Sequence, residues 1–240
     1  MATFVVAHGA WSSSWAWKKM RPLMAANSHL FFVPAYTGLG ERAHAASPAV
    51  SLDTHIADVL GVMEMEDLRD VVLVGHSYGG MVATGVAAAA RDRIRHLIYL
   101  DAFVPRAGQS LLDLQKPDHR TRVIAAAISH GQGWRVAPQA PPPDTSPDDL
   151  AWMLPRRMPQ PLLTFTTPLS AGLLPYRGPS TYIFCTRVGP ADSFRQFAER
   201  ARKEPGWAYK ELDASHNPHI TCPQTLMEML SDIAGSSPAA

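Results

Sequence analysis

The sequence has only two cysteines, Cys185 and Cys222, and no long apolar segment. Two cysteines cannot form the disulfide framework of a small secreted domain, so we expect an intracellular, cytoplasmic protein. No segment approaches the ~20 apolar residues of a membrane-spanning helix. The apolar run at residues 4–7 is also too short for the core of a signal peptide. These absences exclude a disulfide-stabilised scaffold and predict no contact with a membrane.

An excess of charge of one sign is also lacking. The chain carries 22 basic and 21 acidic side chains, which gives a formal net charge of +1. Near-neutrality gives no reason to expect a nucleic-acid partner. His216 and His219 are the only close histidine pair of note, and Pro218 between them argues against a pair of metal ligands on one helix. We therefore expect no metal, and the sequence carries no signal of oligomeric state.

The length and composition indicate one large globular domain. Of the 240 residues, 46% are hydrophobic and 18% are charged, which argues against disorder and against a coiled coil. Proline is the one residue in excess. The chain has 21 prolines, and eleven of them lie between Pro138 and Pro179. The excess is therefore local.

Short apolar runs alternate with helical patterns along the chain. This alternation predicts an α/β protein with a mostly parallel six-stranded sheet and helices on both faces. Ligands of such sheets bind beyond the carboxyl ends of the strands. The predicted strands cover 3–7, 30–33, 71–74, 94–100, 181–185 and 207–212, and the predicted helices cover 14–26 (interrupted by Pro22), 52–63, 81–90, 193–203 and 223–233.

A nucleophile motif follows the third predicted strand. Gly75-His76-Ser77-Tyr78-Gly79 matches G-x-S-x-G and lies directly between a strand and a helix. A serine on such a sharp turn presents its hydroxyl to the crevice, and the glycines remove side chains that would collide there. Ser77 is therefore the predicted nucleophile, the alternative being a glycine-rich turn with an incidental serine. We expect His76 to be structural.

A serine hydroxyl needs a base and two hydrogen-bond donors for the oxyanion. The base is expected late in the chain, and His216 follows the last predicted strand, with His219 as the rival. One donor is the backbone amide of Tyr78, directly after the nucleophile. The amide of Ala10, in the turn after the first strand, is the second candidate. An ordinary strand-to-helix turn is the alternative for Ala10.

The segments His8-Gly9-Ala10-Trp11, Gly75–Gly80 and Ser215-His216 resemble the α/β-hydrolase superfamily. More narrowly, they resemble its branch of plant methylesterases, hydroxynitrile lyases and bacterial carboxylesterases. The resemblance implies a six-stranded core, a small cap, no cofactor, and cleavage of an ester or a cyanohydrin. The lyases of this branch carry threonine at the position of Gly9 and lysine at the position of Asn217. Glycine and asparagine at these positions favour the esterase.

The acid of the triad departs from the plant pattern. The plant relatives place an aspartate shortly after the next-to-last strand, where this chain has no carboxylate before Asp192. Asp101 instead ends the predicted strand at 94–100, as in some other α/β-hydrolases. A buried carboxylate that reaches His216 would fix its tautomer and stabilise the imidazolium. We favour Asp101 and keep Asp192 as the alternative. A turn-capping role for Asp101 stays open.

The proline excess falls where this fold carries its cap. Residues 1–104 and 180–234 are expected to form the α/β-hydrolase core, 105–179 a proline-rich cap or lid, and 235–240 a disordered tail. Residues 138–147 are expected to be stiff and extended, which favours a semi-rigid lid over a flexible linker. Large apolar side chains around the site predict a hydrophobic pocket. Its expected lining is Gly9, Trp11, Phe103, Trp152 and Phe165.

Together these features predict a carboxylesterase-type serine hydrolase. It would cleave the ester of a small hydrophobic substrate through an acyl-enzyme. A small-molecule ester is the expected partner. The alternatives are lyase or acyltransferase activity at the same site, or a ligand-binding protein with little turnover.

Overall fold

A parallel six-stranded sheet runs through the molecule. The structure is a computed structural model that describes residues 1–172, 174–189 and 192–236. In the sheet the strand order is β2-β1-β3-β4-β7-β8, while β5 and β6 form a separate antiparallel pair. The strands are β1 (Thr3–Ala7), β2 (Leu30–Phe32), β3 (Val71–His76), β4 (Ile94–Leu100), β5 (Arg135–Val136), β6 (Gln160–Pro161), β7 (Ser180–Cys185) and β8 (Trp207–Leu212).

Helices cover both faces of this sheet, so its central strands are buried on both sides and read as continuous apolar runs. In β1, Val5 packs into the core on one face while Phe4 and Val6 pack into the core on the other. The prediction of the fold class is thereby confirmed. The helices are α1 (Met20–Ala26), α2 (Leu52–Met65), α3 (Gly79–Ala89), α4 (Pro117–His130), α5 (Pro147–Met153), α6 (Leu163–Thr166), α7 (Arg195–Lys203), α8 (Pro218–Thr221) and α9 (Pro223–Ser236).

Several helices differ from the sequence prediction. The first predicted helix is a 3-10 turn over Ser14–Trp17 followed by α1, whose first turn accommodates Pro22 because the amides there need no helical partner. Helix α4 was not predicted, although Pro117 at its start is a typical signal. Helix α9 continues to Ser236, two residues into the predicted tail. Residues 237–240 of that tail lie outside the described residues.

The described residues 105–172 and 174–179 lie between β4 and β7, and we call them the inserted segment. This inserted segment contains α4, α5 and α6 and the β5–β6 pair. Residues 138–146 hold no helix, as their prolines predict. No helix in the described part of the chain is both long enough and apolar enough to cross a membrane.

Helix α3 packs at contact distance on the sheet because it begins with glycine. A Cβ atom on Gly79 would lie 1.9 Å from the carbonyl oxygen of Ala7 in β1. Backbone atoms cannot move aside as a flexible side chain can. The close approach therefore requires glycine at this position.

We expect Gly79→Ala to unfold the protein or to lower its free energy of unfolding by several kcal/mol, because α3 must separate from β1. Gly61→Ala is the matched control. Gly61 lies within α2 with no atom near its would-be Cβ, so alanine there should stabilise by about 0.5–1 kcal/mol. Urea unfolding followed by circular dichroism measures both changes. Equal stabilities for the two variants would contradict the packing argument.

Candidate active site

The turn between β3 and α3 presents the hydroxyl of Ser77 at the carboxyl edge of the sheet. Ser77 has φ of 56°, in the left-handed region that few non-glycine residues adopt. Its amide donates to the carbonyl of Leu100, 3.3 Å away, and its carbonyl accepts from the amides of Gly80 and Phe103. These bonds to two flanking segments hold the strained turn in place.

Ser77, His216 and Asp101 form one hydrogen-bonded line. The Nε2 atom of His216 lies 2.9 Å from Oγ of Ser77, and its Nδ1 lies 2.7 Å from Oδ2 of Asp101. Asp101 is only 3% exposed, and its other carboxylate oxygen accepts the amide of Cys185. Because the carboxylate can only accept, Nδ1 of His216 carries the proton and Nε2 is free to accept from the serine.

The two rival residues make other contacts. Asp192 accepts the amides of Phe194 and Arg195, each at 3.0 Å, and pairs with the Arg195 guanidinium at the start of α7. His219 is buried and stacks on Trp17 with ring centroids 4.3 Å apart. Of the four candidates for the acid and the base, Asp101 and His216 are thus the two that belong to the hydrogen-bonded chain starting at Ser77.

His76 contacts the main chain of His216 directly. Its Nε2–H donates to the carbonyl oxygen of His216 over 2.7 Å. Burial lowers the pKa of His76 well below its usual value, and electrostatic repulsion from His219 and His216 lowers this pKa further. On its other side, the His216 ring stacks on Phe194 at 4.8 Å. The contact of His76 with His216 is consistent with the structural role that the sequence predicts for His76, and that role stays a prediction. Its bond to the loop of His216 could not be read there, because 140 residues separate the two.

The two predicted oxyanion donors lie beside Ser77 and are free. Ala10 and Tyr78 both line the cavity over the serine. Among the described residues neither of their amides donates a hydrogen bond, whereas the amides of Trp11 and Ser77 both do. Gly9 keeps this space open, since a Cβ there would lie 3.0 Å from Nδ1 of His76 and 3.2 Å from Cβ of Ser77.

A cavity of about 550 Å³ opens over Ser77. Gly9, Trp11, Phe103 and Phe165 line it, as predicted. The prediction for Trp152 is wrong, because this residue lies outside the cavity lining. Its ring packs edge-on against Trp15, with centroids 5.4 Å apart, and the Lys18 ammonium lies over it. The next residue of α5, Met153, lines the cavity instead, because successive helical side chains point about 100° apart. The inserted segment also contributes Leu111, Leu112, Leu114, Val123 and Val136.

A buried network of rings supports the turn from behind. His8 stacks on Tyr36 at 3.7 Å, and Tyr36 stacks on His55 at 4.5 Å. Nε2–H of His55 donates to the carbonyl of Thr37, so Nδ1 accepts the hydroxyl of Tyr78 over 2.9 Å. Burial lowers the pKa of His8 to about 4 and that of His55 to about 3. These histidines are therefore neutral at pH 7.

The chain matches the model of the alpha/beta hydrolase family over residues 4–228. It is 38% identical, over 96% of its length and 99% of the relative, to the carbendazim hydrolyzing esterase of Nocardioides sp.. Methylesterase 8 of Arabidopsis thaliana is 26% identical over 42% of this chain and 38% of its own. Among solved structures, an extracellular alpha/beta-hydrolase from a Paenibacillus species superposes with a TM-score of 0.83 at 23% identity, covering 98% of this chain and all of that one.

The chain therefore belongs to the alpha/beta hydrolase family. The predicted resemblance to the plant methylesterases and their bacterial relatives is confirmed, as is the prediction of a carboxylesterase-type hydrolase.

The buried neutral histidines predict a loss of stability in mild acid. The folded pKa values of His8, His55 and His219 lie at about 4, 3 and 3, below the unfolded value near 6.5. Stability is therefore complete above pH 6.5. It falls as the pH drops toward 4, because the unfolded chain takes up protons that the folded chain excludes. Each histidine contributes up to about 1.4 kcal/mol per pH unit.

The free energy of unfolding, measured in urea from pH 7.5 to 5, tests this dependence. His219→Gln should flatten the slope by about one proton. The control is His130→Gln, which changes an exposed histidine at the end of α4 and should leave the slope unaltered. A stability that is constant between pH 6.5 and 5 would show that these histidines are not excluded from protonation.

Proposed function

We propose that the chain is a serine hydrolase that cleaves a carboxylic ester through an acyl-enzyme. The observation that carries the proposal is the line from Ser77 Oγ to His216 Nε2 and from His216 Nδ1 to Asp101 Oδ2, at 2.9 and 2.7 Å. Both distances allow direct proton transfer or a strong hydrogen bond. The 38% identical esterase supports the same chemistry.

In the first half-reaction, Ser77 Oγ attacks the ester carbonyl carbon while its proton passes to Nε2 of His216. The carbonyl electron pair moves to oxygen, and the amides of Ala10 and Tyr78 donate to that oxyanion. Asp101 stabilises the imidazolium through Nδ1–H. When the tetrahedral intermediate collapses, the bond to the alcohol breaks. The proton on Nε2 passes to the departing oxygen, which leaves the acyl group on Ser77.

In the second half-reaction, water takes the place of the alcohol. His216 Nε2 removes a proton from water as its oxygen attacks the acyl carbon. The same two amides hold the second oxyanion. Collapse releases the carboxylic acid and returns the proton to Ser77 Oγ. No cofactor enters either half-reaction.

The substrate that we propose is a small hydrophobic ester, with the inserted segment as a semi-rigid cap over it. Apolar side chains of the core and of the inserted segment meet in the cavity above Ser77, and Trp11 and Phe165 contact each other edge-on at 5.8 Å. Such a lining favours aryl or alkyl groups in the acyl or alcohol part. The Nocardioides relative is named a carbendazim hydrolyzing esterase, so carbendazim should be among the substrates that are tested. A cytoplasmic location stays a prediction.

Hydroxynitrile lyase activity, acyl transfer to an alcohol and ligand binding without turnover are the competing functions. The crowding around Gly9 argues against the lyase arrangement, because a threonine there would press on His76 and Ser77. Product analysis separates these functions. An aromatic cyanohydrin should stay intact, and an ester offered with methanol should yield mainly the free acid.

Covalent labelling tests the nucleophile. We expect a fluorophosphonate to label Ser77 stoichiometrically, and p-nitrophenyl acetate to release a burst of p-nitrophenol equal to the enzyme concentration. Ser77→Ala should abolish both and lower turnover at least about 10⁴-fold. Ser231→Ala, a change in α9 at a serine that contacts His29, is the control and should behave as wild type. Labelling that survives in Ser77→Ala would refute the proposal.

Replacement of the two candidate acids tests the triad. Asp101→Asn should preserve the fold and lower kcat by about 10³–10⁴-fold, because an asparagine amide can hold the imidazole in the wrong tautomer. Asp192→Asn should change kcat less than about threefold, because the hydrogen bonds and the ion pair of its carboxylate are with Phe194 and Arg195 at the start of α7 and not with His216. The measurement is steady-state kinetics on a p-nitrophenyl ester. The reverse ranking would assign the acid to Asp192.

A further inference from the structure

The residue after Ala10 is held by two hydrogen bonds from the inserted segment. Trp11 has φ of 56°, a left-handed conformation that is uncommon outside glycine. Its amide donates to Oε1 of Gln160 over 3.1 Å, and its indole Nε1–H donates to the carbonyl of Val136 over 2.9 Å. Val136 and Gln160 are directly opposite each other in the β5–β6 pair. One backbone pair of the inserted segment thus holds both ends of Trp11, an arrangement that we call the Trp11 clamp.

Gln160 is oriented by its other contacts. Its side chain is fully buried, and its Nε2 donates to Oγ1 of Thr164 over 2.9 Å. Thr164 in turn donates to the carbonyl of Pro161 at 2.7 Å, so its lone pairs are turned toward the Gln160 amide nitrogen. The oxygen of Gln160 therefore faces Trp11. Reversing this amide would bring two N–H donors together in a buried place, which is unfavourable.

The same contacts reach the second oxyanion residue. The hydroxyl of Tyr78 donates to Nδ1 of His55 and lies close to the hydroxyl of Thr164. Thr164 therefore stands between Gln160, which holds the residue after Ala10, and Tyr78, which carries the other donor. The two donors come from separate segments of the core, after β1 and after β3. The inserted segment contacts both, through the hydrogen bond of Gln160 to Trp11 and through the ring of Phe165, which packs on the ring of Tyr78 with centroids 5.7 Å apart.

We propose that Gln160 is a positioning residue, through which the inserted segment fixes the turn that carries the Ala10 amide. The proposal rests on the proposed function, because it takes Ala10 as an oxyanion donor. With the Trp11 amide engaged by Gln160, the neighbouring Ala10 amide is the one left to face the cavity. Without that acceptor, the part-buried Trp11 amide loses its partner in the protein and the left-handed turn loses a support, so the donor moves from its place.

The test replaces Gln160 with methionine, which has a similar shape and no acceptor. We expect kcat to fall about 10- to 100-fold, while KM changes less than about threefold, because oxyanion donors act in the transition state and not in substrate binding. The affinity for an alkyl boronic acid, which mimics the tetrahedral intermediate, should fall in parallel with kcat.

Gln109→Met is the matched control. Gln109 lies in the same inserted segment, and its Oε1 also accepts a backbone amide, that of Arg106, over 2.8 Å. Gln109 does not line the cavity. We expect this variant to keep kcat, KM and boronic acid affinity within about twofold of wild type. A Gln160→Met enzyme with wild-type kcat, or an equal loss in Gln109→Met, would overturn the proposal.

Hydrogen exchange on the wild-type chain tests the clamp independently of activity and of any folding defect in the variants. The amide of Trp11 should be protected and should exchange together with the amides of the β5–β6 pair, since opening of that pair releases it. Rapid exchange at Trp11 would refute the clamp even in an active esterase. Protection at Trp11 in a chain that a fluorophosphonate does not label would refute the proposed function and leave the clamp intact.

Discussion

The close contact of α3 with the sheet is the constraint on which the site depends. Gly79 lies against the carbonyl of Ala7, and this approach sets how sharply the chain must turn after β3. Ser77 takes a left-handed conformation to make that turn and is held by the carbonyl of Leu100 in the neighbouring strand. Since Leu100 ends β4, the next residue, Asp101, emerges at the same edge of the sheet. The turn that exposes the hydroxyl thus also fixes its distance from the carboxylate.

The electrostatics around His216 follow from burial. The ring of His76 lies beside that of His216, with centroids 4.9 Å apart, and the ring of His219 lies beside that of His76, with centroids 4.7 Å apart. Burial lowers the pKa of both neighbours far enough that they are neutral at pH 7. A charged neighbour would oppose the imidazolium that the proposed reaction forms on His216. With both neutral, the charge that develops on His216 faces Asp101, which is buried and accepts from its Nδ1.

Local patterns were sufficient to predict the sheet and the turn, and to select Ser77, Asp101 and His216 as candidates that the structure brings together. Ser77, Asp101 and His216 all follow directly after strands or a few residues beyond them, and parallel strands bring such positions to one edge. The Trp11 clamp could not be predicted in this way, because Gln160 is 149 residues from its partner in the chain and lies on a two-residue strand. Helix α4 begins with Pro117, a typical start signal that the sequence prediction does not use. The prediction that Trp152 lines the cavity is wrong, because tertiary packing decides which face of the short helix α5 points toward the cavity.

The clamp changes what the inserted segment contributes to the site. A lid that only covered a cavity would affect which substrates enter and how fast they leave. Here the β5–β6 pair also accepts the part-buried amide of Trp11 beside the Ala10 turn, and Phe165 of the same segment packs its ring on Tyr78. Separating the inserted segment from the core would expose the cavity and remove the support of the Ala10 turn in one step. Under the proposed function, the Ala10 and Tyr78 amides would therefore be placed to hold an oxyanion only while the inserted segment is seated on the core, which would link exclusion of water to readiness for the reaction.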